Sequence, residues 1–135
     1  MKRTLVPIAL MSVLSSSLGI ANEATLVNAL KESSGANALA CGAVKLGEDA
    51  TTAVECARTA LAEKRPFWFA AQIQGTDSSV WRGVALEPGK NNVWVVSYDS
   101  DVHGGGGAGA ESLQYGLCPW VKFSSSSPEH IQCTP

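Results

Sequence analysis

Hydrophobic and polar residues follow three successive patterns along the chain. Residues 5–14 are almost wholly apolar, residues 50–61 repeat apolar side chains at helical spacing, and alternation begins at Phe67. Helical spacing predicts an amphipathic helix, and alternation predicts strands with one buried face. The chain therefore divides into a leader, a helical part and a sheet-forming part.

The leader has the pattern of a cleavable export signal. Lys2 and Arg3 precede the apolar run, and Gly19 and Ala21 supply the small residues that a signal peptidase reads. The run is shorter than the roughly 20 apolar residues that span a bilayer, although an uncleaved anchor is the alternative. We expect residues 1–21 to be removed, leaving residues 22–135 as a single globular domain. That domain is expected to be periplasmic or secreted, with no stable membrane anchor.

Two helices are predicted ahead of the sheet. Residues 23–32 form a short first helix with Leu26 and Leu30 on one side. Asp49 is a favoured N-cap for the second helix, and Pro66 cannot continue it. The second helix has an apolar stripe rich in alanine, which indicates close packing against a sheet: Ala50, Ala53, Val54, Ala57, Ala60 and Leu61.

The alternating part predicts an antiparallel meander. Strands are expected over residues 67–74, 79–87 and 93–98, separated by turn-forming segments. Residues 117–123 and 129–133 are candidates for two further short strands. The predicted fold class is α+β, with the N-terminal helix or helices packed on one face of a small antiparallel sheet of three to five strands.

One face of the predicted sheet carries two tryptophans. If the first turn pairs Gln74 with Ser79, Trp81 lies opposite Gln72 and shares a face with Trp68. Exposed aromatic rings among small and amide side chains suit a protein or glycan partner. The alternative is that the first helix or the C-terminal strands cover both rings, since Trp is mostly buried in proteins.

The length of the second turn decides which residues join that face. A five-residue turn places Val93 and Val95 beside Trp81, whereas a four-residue turn places Trp94 and Tyr98 there. A slip of one residue exchanges the two faces of a strand, and the pattern leaves both possibilities open.

Four cysteines predict a disulfide framework: Cys41, Cys56, Cys118 and Cys133. An even number in a small exported chain is typical of disulfides, and three pairings are possible. The two equal short spacings favour Cys41–Cys56 with Cys118–Cys133. There is no C-x-x-C pair and no histidine at ligand spacing from a cysteine, so we predict no zinc site and no cofactor.

The charge of the chain argues against two classes of partner. The formal net charge is −2, and removal of Lys2 and Arg3 makes the domain more acidic. Nucleic-acid binding requires a basic surface, and anionic membranes attract polybasic segments. We therefore expect a protein, small-molecule or glycan partner, and no nucleic acid.

Asp99, Asp101 and His103 form the sharpest group of polar residues. On a continuing strand they would share a face, where two carboxylates and an imidazole can hold a divalent metal or act as acid and base. The alternative is a solvated turn, which Asp, Ser and Gly favour. The glycine run at residues 104–107 lacks the Gly-Lys-Ser/Thr signature of a phosphate loop.

The order of short motifs resembles a group of small exported bacterial proteins whose function is uncharacterised. The similar features are Cys41-Gly42, Cys56, Pro66-Phe67, Gly75 before Asp77-Ser78, Tyr98-Asp99-Ser100-Asp101, the glycine run, Cys118 and Cys133. The resemblance implies export and a four-cysteine framework. It implies no activity, substrate or site.

The sequence thus predicts an exported, disulfide-bonded, non-catalytic binding or interaction module that acts through the sheet face or the glycine-rich loop. The alternative is a small metal-dependent or hydrolytic enzyme built on the two aspartates and the histidine. We assign no catalytic residue and no metal ligand. The candidate binding residues are Trp68, Gln72, Trp81, Asp99, Asp101 and His103.

Overall fold

The computed structural model describes residues 18–103 and 111–135, with side chains from residue 23 onward. Most of the predicted leader and the whole glycine run lie outside these residues. Helix α1 spans Leu18–Ser34 and α2 spans Thr51–Ala62. The strands are β1 Leu39–Val44, β2 Phe67–Ile73, β3 Val80–Leu86, β4 Val93–Asp99, β5 Ser112–Cys118, β6 Trp120–Phe123 and β7 Ile131–Thr134.

The five-stranded main sheet has the order β1-β2-β3-β4-β5. Strands β2 to β4 form the predicted antiparallel meander, and the α+β class is confirmed. Strand β5, which the sequence did not predict over these residues, extends the meander by one antiparallel strand. The expectation of a purely antiparallel sheet is wrong, because β1 pairs with β2 in parallel. A parallel pair needs a crossover connection, and α2 supplies it.

The segment predicted as one strand over residues 117–123 is divided between two sheets. Strand β5 ends at Cys118, and β6 begins at Trp120 on the far side of Pro119. Proline has no N–H to donate to a ladder, so the chain leaves the main sheet there. Strands β6 and β7 then pair in a separate two-stranded sheet.

The two helices cover opposite faces of the main sheet, so their predicted position on one face is wrong. Helix α1 packs Leu26 and Leu30 against Trp68 and its face, and α2 packs against the face of Phe67. The first five residues of β2 are all buried. A strand that is apolar on both sides needs cover on both sides, which one layer of helices cannot give.

The small β6–β7 sheet completes the cover on the α2 side. Phe123 lies edge-on to Phe67 and Phe69, with ring centroids 6.2 and 5.9 Å apart. Edge-to-face packing of this kind suits the quadrupoles of the rings. Helix α2 and the small sheet therefore share one hydrophobic core on this face of the main sheet. Helix α1 packs on the opposite face.

Both favoured disulfides are present. Cys41 pairs with Cys56 across a Cα–Cα distance of 5.5 Å, and Cys118 pairs with Cys133 across 5.6 Å. The first joins β1 to α2 and the second joins β5 to β7. Among the described residues, no helix is long and apolar enough to cross a membrane.

Candidate functional site

The register of the sheet settles which aromatic residues share a face. Gln72 lies opposite Trp81, as predicted, and Trp81 in turn lies opposite Tyr98. Trp94 follows on the same face, opposite Ala85. The possibility that placed Trp94 and Tyr98 beside Trp81 is therefore the one that the chain adopts.

Helix α1 covers the two predicted ligand-binding tryptophans. Trp68 is 7% exposed and Trp81 is 3% exposed, in one cluster with Leu26 and Leu30. The Nζ atom of Lys31 lies 5.9 Å from the centroid of the Trp68 ring. The first helix thus takes the place that a ligand of this sheet face would need.

Asp99, Asp101 and His103 adopt the turn alternative. Strand β4 ends at Asp99, whose Oδ1 accepts a hydrogen bond from the Asp101 backbone N–H at 2.9 Å. The Oδ1 atom of Asp101 accepts from the His103 N–H at 3.3 Å. Their carboxylates therefore act as local turn partners, as short polar side chains commonly do.

Asp101 is the most deeply placed member of this turn. It is 7% exposed, and its Oδ2 atom has no hydrogen-bond partner within the described part of the chain. His103 is exposed. Across residues 18–103 and 111–135, no three His, Cys, Asp or Glu side chains are grouped so that they can hold a metal ion.

A cleft lies where the parallel strands β1 and β2 end. It encloses about 450 Å³ and is formed by the loop after β1, the end of β2 and the loop before β7: Leu46, Gly47, Gln72, Ile73, Gln74, Pro128, Glu129 and His130. Its volume falls within the range of about 300–1,000 Å³ typical of ligand pockets. In sheets with parallel strands, ligands bind outside the carboxyl ends of the strands.

Hydrogen bonds orient two amide side chains on the β2 wall of this cleft. Gln72 Oε1 accepts from the backbone N–H of Leu46 at 3.2 Å, which leaves its amide N–H groups as donors. Gln74 Nε2 donates to the Gly75 carbonyl at 3.0 Å, which leaves Gln74 Oε1 as an acceptor. The first of these bonds also ties the loop after β1 to β2.

His130 is oriented on the opposite wall. Its Nδ1 lies 2.8 Å from the carbonyl oxygen of Ser124, and a carbonyl only accepts, so Nδ1 carries the proton. In the neutral ring Nε2 is then an acceptor. The hydrogen bond at Nδ1 therefore selects the tautomer of the neutral ring and leaves Nε2 with a lone pair.

Glu129 adds a partly neutralised carboxylate to the same wall. Its Oε2 lies 3.9 Å from Arg82 Nη1, which also donates to the Ile131 carbonyl at 3.4 Å. The guanidinium on β3 therefore offsets the acidic charge and holds the start of β7. The cleft combines apolar and polar groups with little net charge.

The two disulfides hold the strands from which these walls extend. Cys41 in β1 lies five positions before Leu46 and is bonded to α2, and Cys133 in β7 follows His130 and is bonded to β5. A covalent link restricts the freedom of a loop that starts a few residues away. One bridge therefore fixes β1 to α2, and the other fixes β7 to the main sheet through β5.

Of the six candidate binding residues, only Gln72 lines this cleft. Asp99, Asp101 and His103 line a different depression of about 460 Å³ beside the turn over residues 75–78. The pattern of the sequence contained no signal for Leu46 or His130. Residues 39–44 form a strand parallel to β2, and this pairing, which the sequence pattern did not predict, brings two strand ends together.

Comparison of the chain with protein-family models, curated proteins and solved structures finds no match. The function is therefore inferred from the geometry of the cleft.

Proposed function

We propose that this protein is an exported, non-catalytic binding module that takes a small, neutral ligand bearing hydroxyl or amide groups. The ligand occupies the cleft at the carboxyl ends of β1 and β2. The observation that carries this proposal is the convergence of Gln72, Gln74 and His130 on one cavity of about 450 Å³. Residues 1–21 are its export signal, and the domain acts in the periplasm or outside the cell.

The polar groups of the cleft indicate the chemistry of the ligand. In the neutral ring His130 Nε2 is an acceptor, Gln74 Oε1 is also an acceptor, and the amide of Gln72 is a donor. A hydroxyl group both donates and accepts, and an amide presents both types of group, so either chemistry satisfies this set. Leu46 and Ile73 provide apolar walls for the carbon skeleton.

Charge supports a neutral ligand over an ionic one. Arg82 offsets Glu129 at a distance of 3.9 Å, so neither a cation nor an anion finds an unopposed partner there. Moving an ion out of water into a cleft costs free energy unless the site pairs its charge. Sugars, polyols and small amides carry no charge and meet this requirement.

The disulfides support the exported location. Both bridges form within one small domain, and structural disulfides persist mainly in oxidising compartments outside the cytoplasm. A cleft held by covalent links is also pre-organised, and pre-organisation lowers the entropy cost of binding.

The test compares two histidine variants. We would record saturation-transfer NMR spectra of the folded domain, residues 22–135, with a panel of monosaccharides, polyols and small amides, and then titrate each binder. His130→Ala is expected to weaken binding about three- to tenfold, the effect of one lost hydrogen bond. His103→Ala is the matched control, because His103 is exposed and lies in the other depression.

Two results would contradict the proposal. One is the absence of any binder in the panel with the unmodified domain. The other is an equal loss of affinity in both variants while circular dichroism and thiol titration show an intact fold. A loss confined to His103→Ala would instead favour the turn of Asp99 and Asp101 as the site.

A further inference from the structure

Strand β5 forms an open edge of the main sheet. It pairs with β4 along all seven of its residues without a register shift, and it is the last strand in the sheet order. Its outer row of backbone N–H and C=O groups has no strand partner among the described residues. Such a row is a template for pairing with another chain.

Nothing in β5 blunts this edge. Proteins commonly protect edge strands with charged residues, proline or a bulge, and the sequence of Ser112–Cys118 has no charge and no proline. The opposite edge, β1, is protected differently. Its pairing with β2 shifts register between Ala40 and Gly42, and Gly42 has a φ of 104°.

Three side chains of β5 continue the apolar face of the main sheet beyond the part that α1 covers. Leu113, Tyr115 and Leu117 alternate along the strand and therefore point to one face, opposite Tyr98, Val96 and Trp94. Helix α1 packs on β2, β3 and β4. Tyr115 is 53% exposed and Leu117 is 54% exposed, so this apolar face remains open to solvent at the edge.

We propose that the occupant of this edge is a second copy of the same chain, paired antiparallel to β5 about a two-fold axis at Tyr115. Tyr115 is the middle residue of Ser112–Cys118. Pairing about it matches all seven residues of the strand with all seven of its copy. The two sheets become one continuous sheet of ten strands.

This register is complementary to itself. Leu113 meets Leu117 of the partner subunit, and Tyr115 meets Tyr115 of the partner subunit. With the symmetric copy of the leucine pair, all six side chains lie on the same face, because symmetric pairing preserves the alternation. Cross-strand aromatic and aliphatic pairs are the contacts that stabilise antiparallel sheets.

Charge favours the same register. The domain is acidic, so two copies repel each other unless the seam avoids like charges. Glu111 stands just before β5, and in this register it lies opposite Pro119 of the partner subunit. The seven paired residues contain no charge, so no carboxylate meets its own copy.

The size of the surface sets the strength of the dimer. Stable interfaces bury about 800 Å² on each partner, which one seven-residue edge with two half-exposed apolar side chains does not reach. We therefore expect a reversible dimer that depends on protein concentration.

The experiment is sedimentation velocity of the disulfide-bonded domain over a concentration series. Tyr115→Lys places two ammonium groups face to face at the axis and is expected to weaken dimerisation at least tenfold. Tyr115→Glu does the same with two carboxylates. A mixture of these two variants is expected to recover the dimer, because the opposite charges then meet at the axis.

Two controls separate this surface from the ligand cleft. Leu46→Lys changes a 45% exposed leucine in the cleft and should leave dimerisation unchanged. Tyr115→Phe keeps the ring and should also dimerise. Circular dichroism of each variant verifies the fold.

A wild-type domain that stays monomeric at the highest concentration it tolerates overturns the proposal, and a strand of a different protein is then the other occupant of the edge. Dimerisation that Tyr115→Lys leaves intact, or that the charge-reversed mixture does not recover, overturns the register.

Discussion

The close packing of α1 on the main sheet depends on a glycine in the middle of β3. A Cβ at Gly83 would lie 2.9 Å from Cδ2 and 3.1 Å from Cγ of Leu30, and closer still to its Cδ1. Leu30 is completely buried, so its side chain has no solvent to move into. Gly83→Ala is therefore expected to push α1 away from the sheet.

The cost follows from the packing around Leu30. Adding one methyl group to a filled core costs about 1–3 kcal/mol. We expect Gly83→Ala to lower the free energy of unfolding by about 2 kcal/mol. Leu30→Ala alone costs about 2–5 kcal/mol because it leaves a cavity. The double variant should lose less than the sum, since the new methyl group takes up part of that cavity.

Urea unfolding with the disulfides intact measures these changes, and the fluorescence of Trp68 and Trp81 under α1 reports the transition. Gly116→Ala is the matched control in the same sheet. Its new Cβ would lie 3.7 Å from Val95 Cγ1, an ordinary contact, so the change should stay within about 1 kcal/mol. Equal effects of the two alanine variants, or strict additivity with Leu30→Ala, would refute this account of the α1 contact.

Two further predictions concern the bridges and a buried tyrosine. Each disulfide closes a loop with a sequence separation of 15, so replacing both cysteines of either bridge by serine should cost about 3 kcal/mol in urea unfolding. A loss below about 1 kcal/mol would contradict it. Burial, and then the Glu111 carboxylate, raise the pKa of Tyr98 above 10.0. The unfolded chain thus loses this proton first, and the stability that Tyr98 contributes is complete below pH 10.0 and declines as pH rises through the folded pKa. Unfolding at about pH 9 and about pH 11 should show a decline that Tyr98→Phe reduces.

Elements whose signals are local can be predicted from the amino-acid sequence. The alternation of Phe67 to Ile73, the turns that follow and the alanine stripe of α2 depend on residues a few positions apart, and their elements form nearly where expected. The start of α2 differs from the prediction, because the N-cap is Ala50 while Asp49 Oδ1 accepts from Thr51 N–H at 2.9 Å. The equal spacings of the cysteines likewise favoured the pairing that forms.

Tertiary structure decided which surfaces remain open. Whether Trp68 and Trp81 meet solvent depends on where α1 docks, and α1 precedes them by tens of residues. The burial of all five leading residues in β2 indicates two covered faces, but no local pattern says which helix takes which face.

The candidate site required the same long-range information. Leu46, Gln72 and His130 meet because β1 lies parallel to β2 and because a disulfide holds β7 near the sheet. Periodicity records the environment of one segment at a time. The meeting of three segments is a property of the packed chain, and for that reason only the fold revealed the cleft.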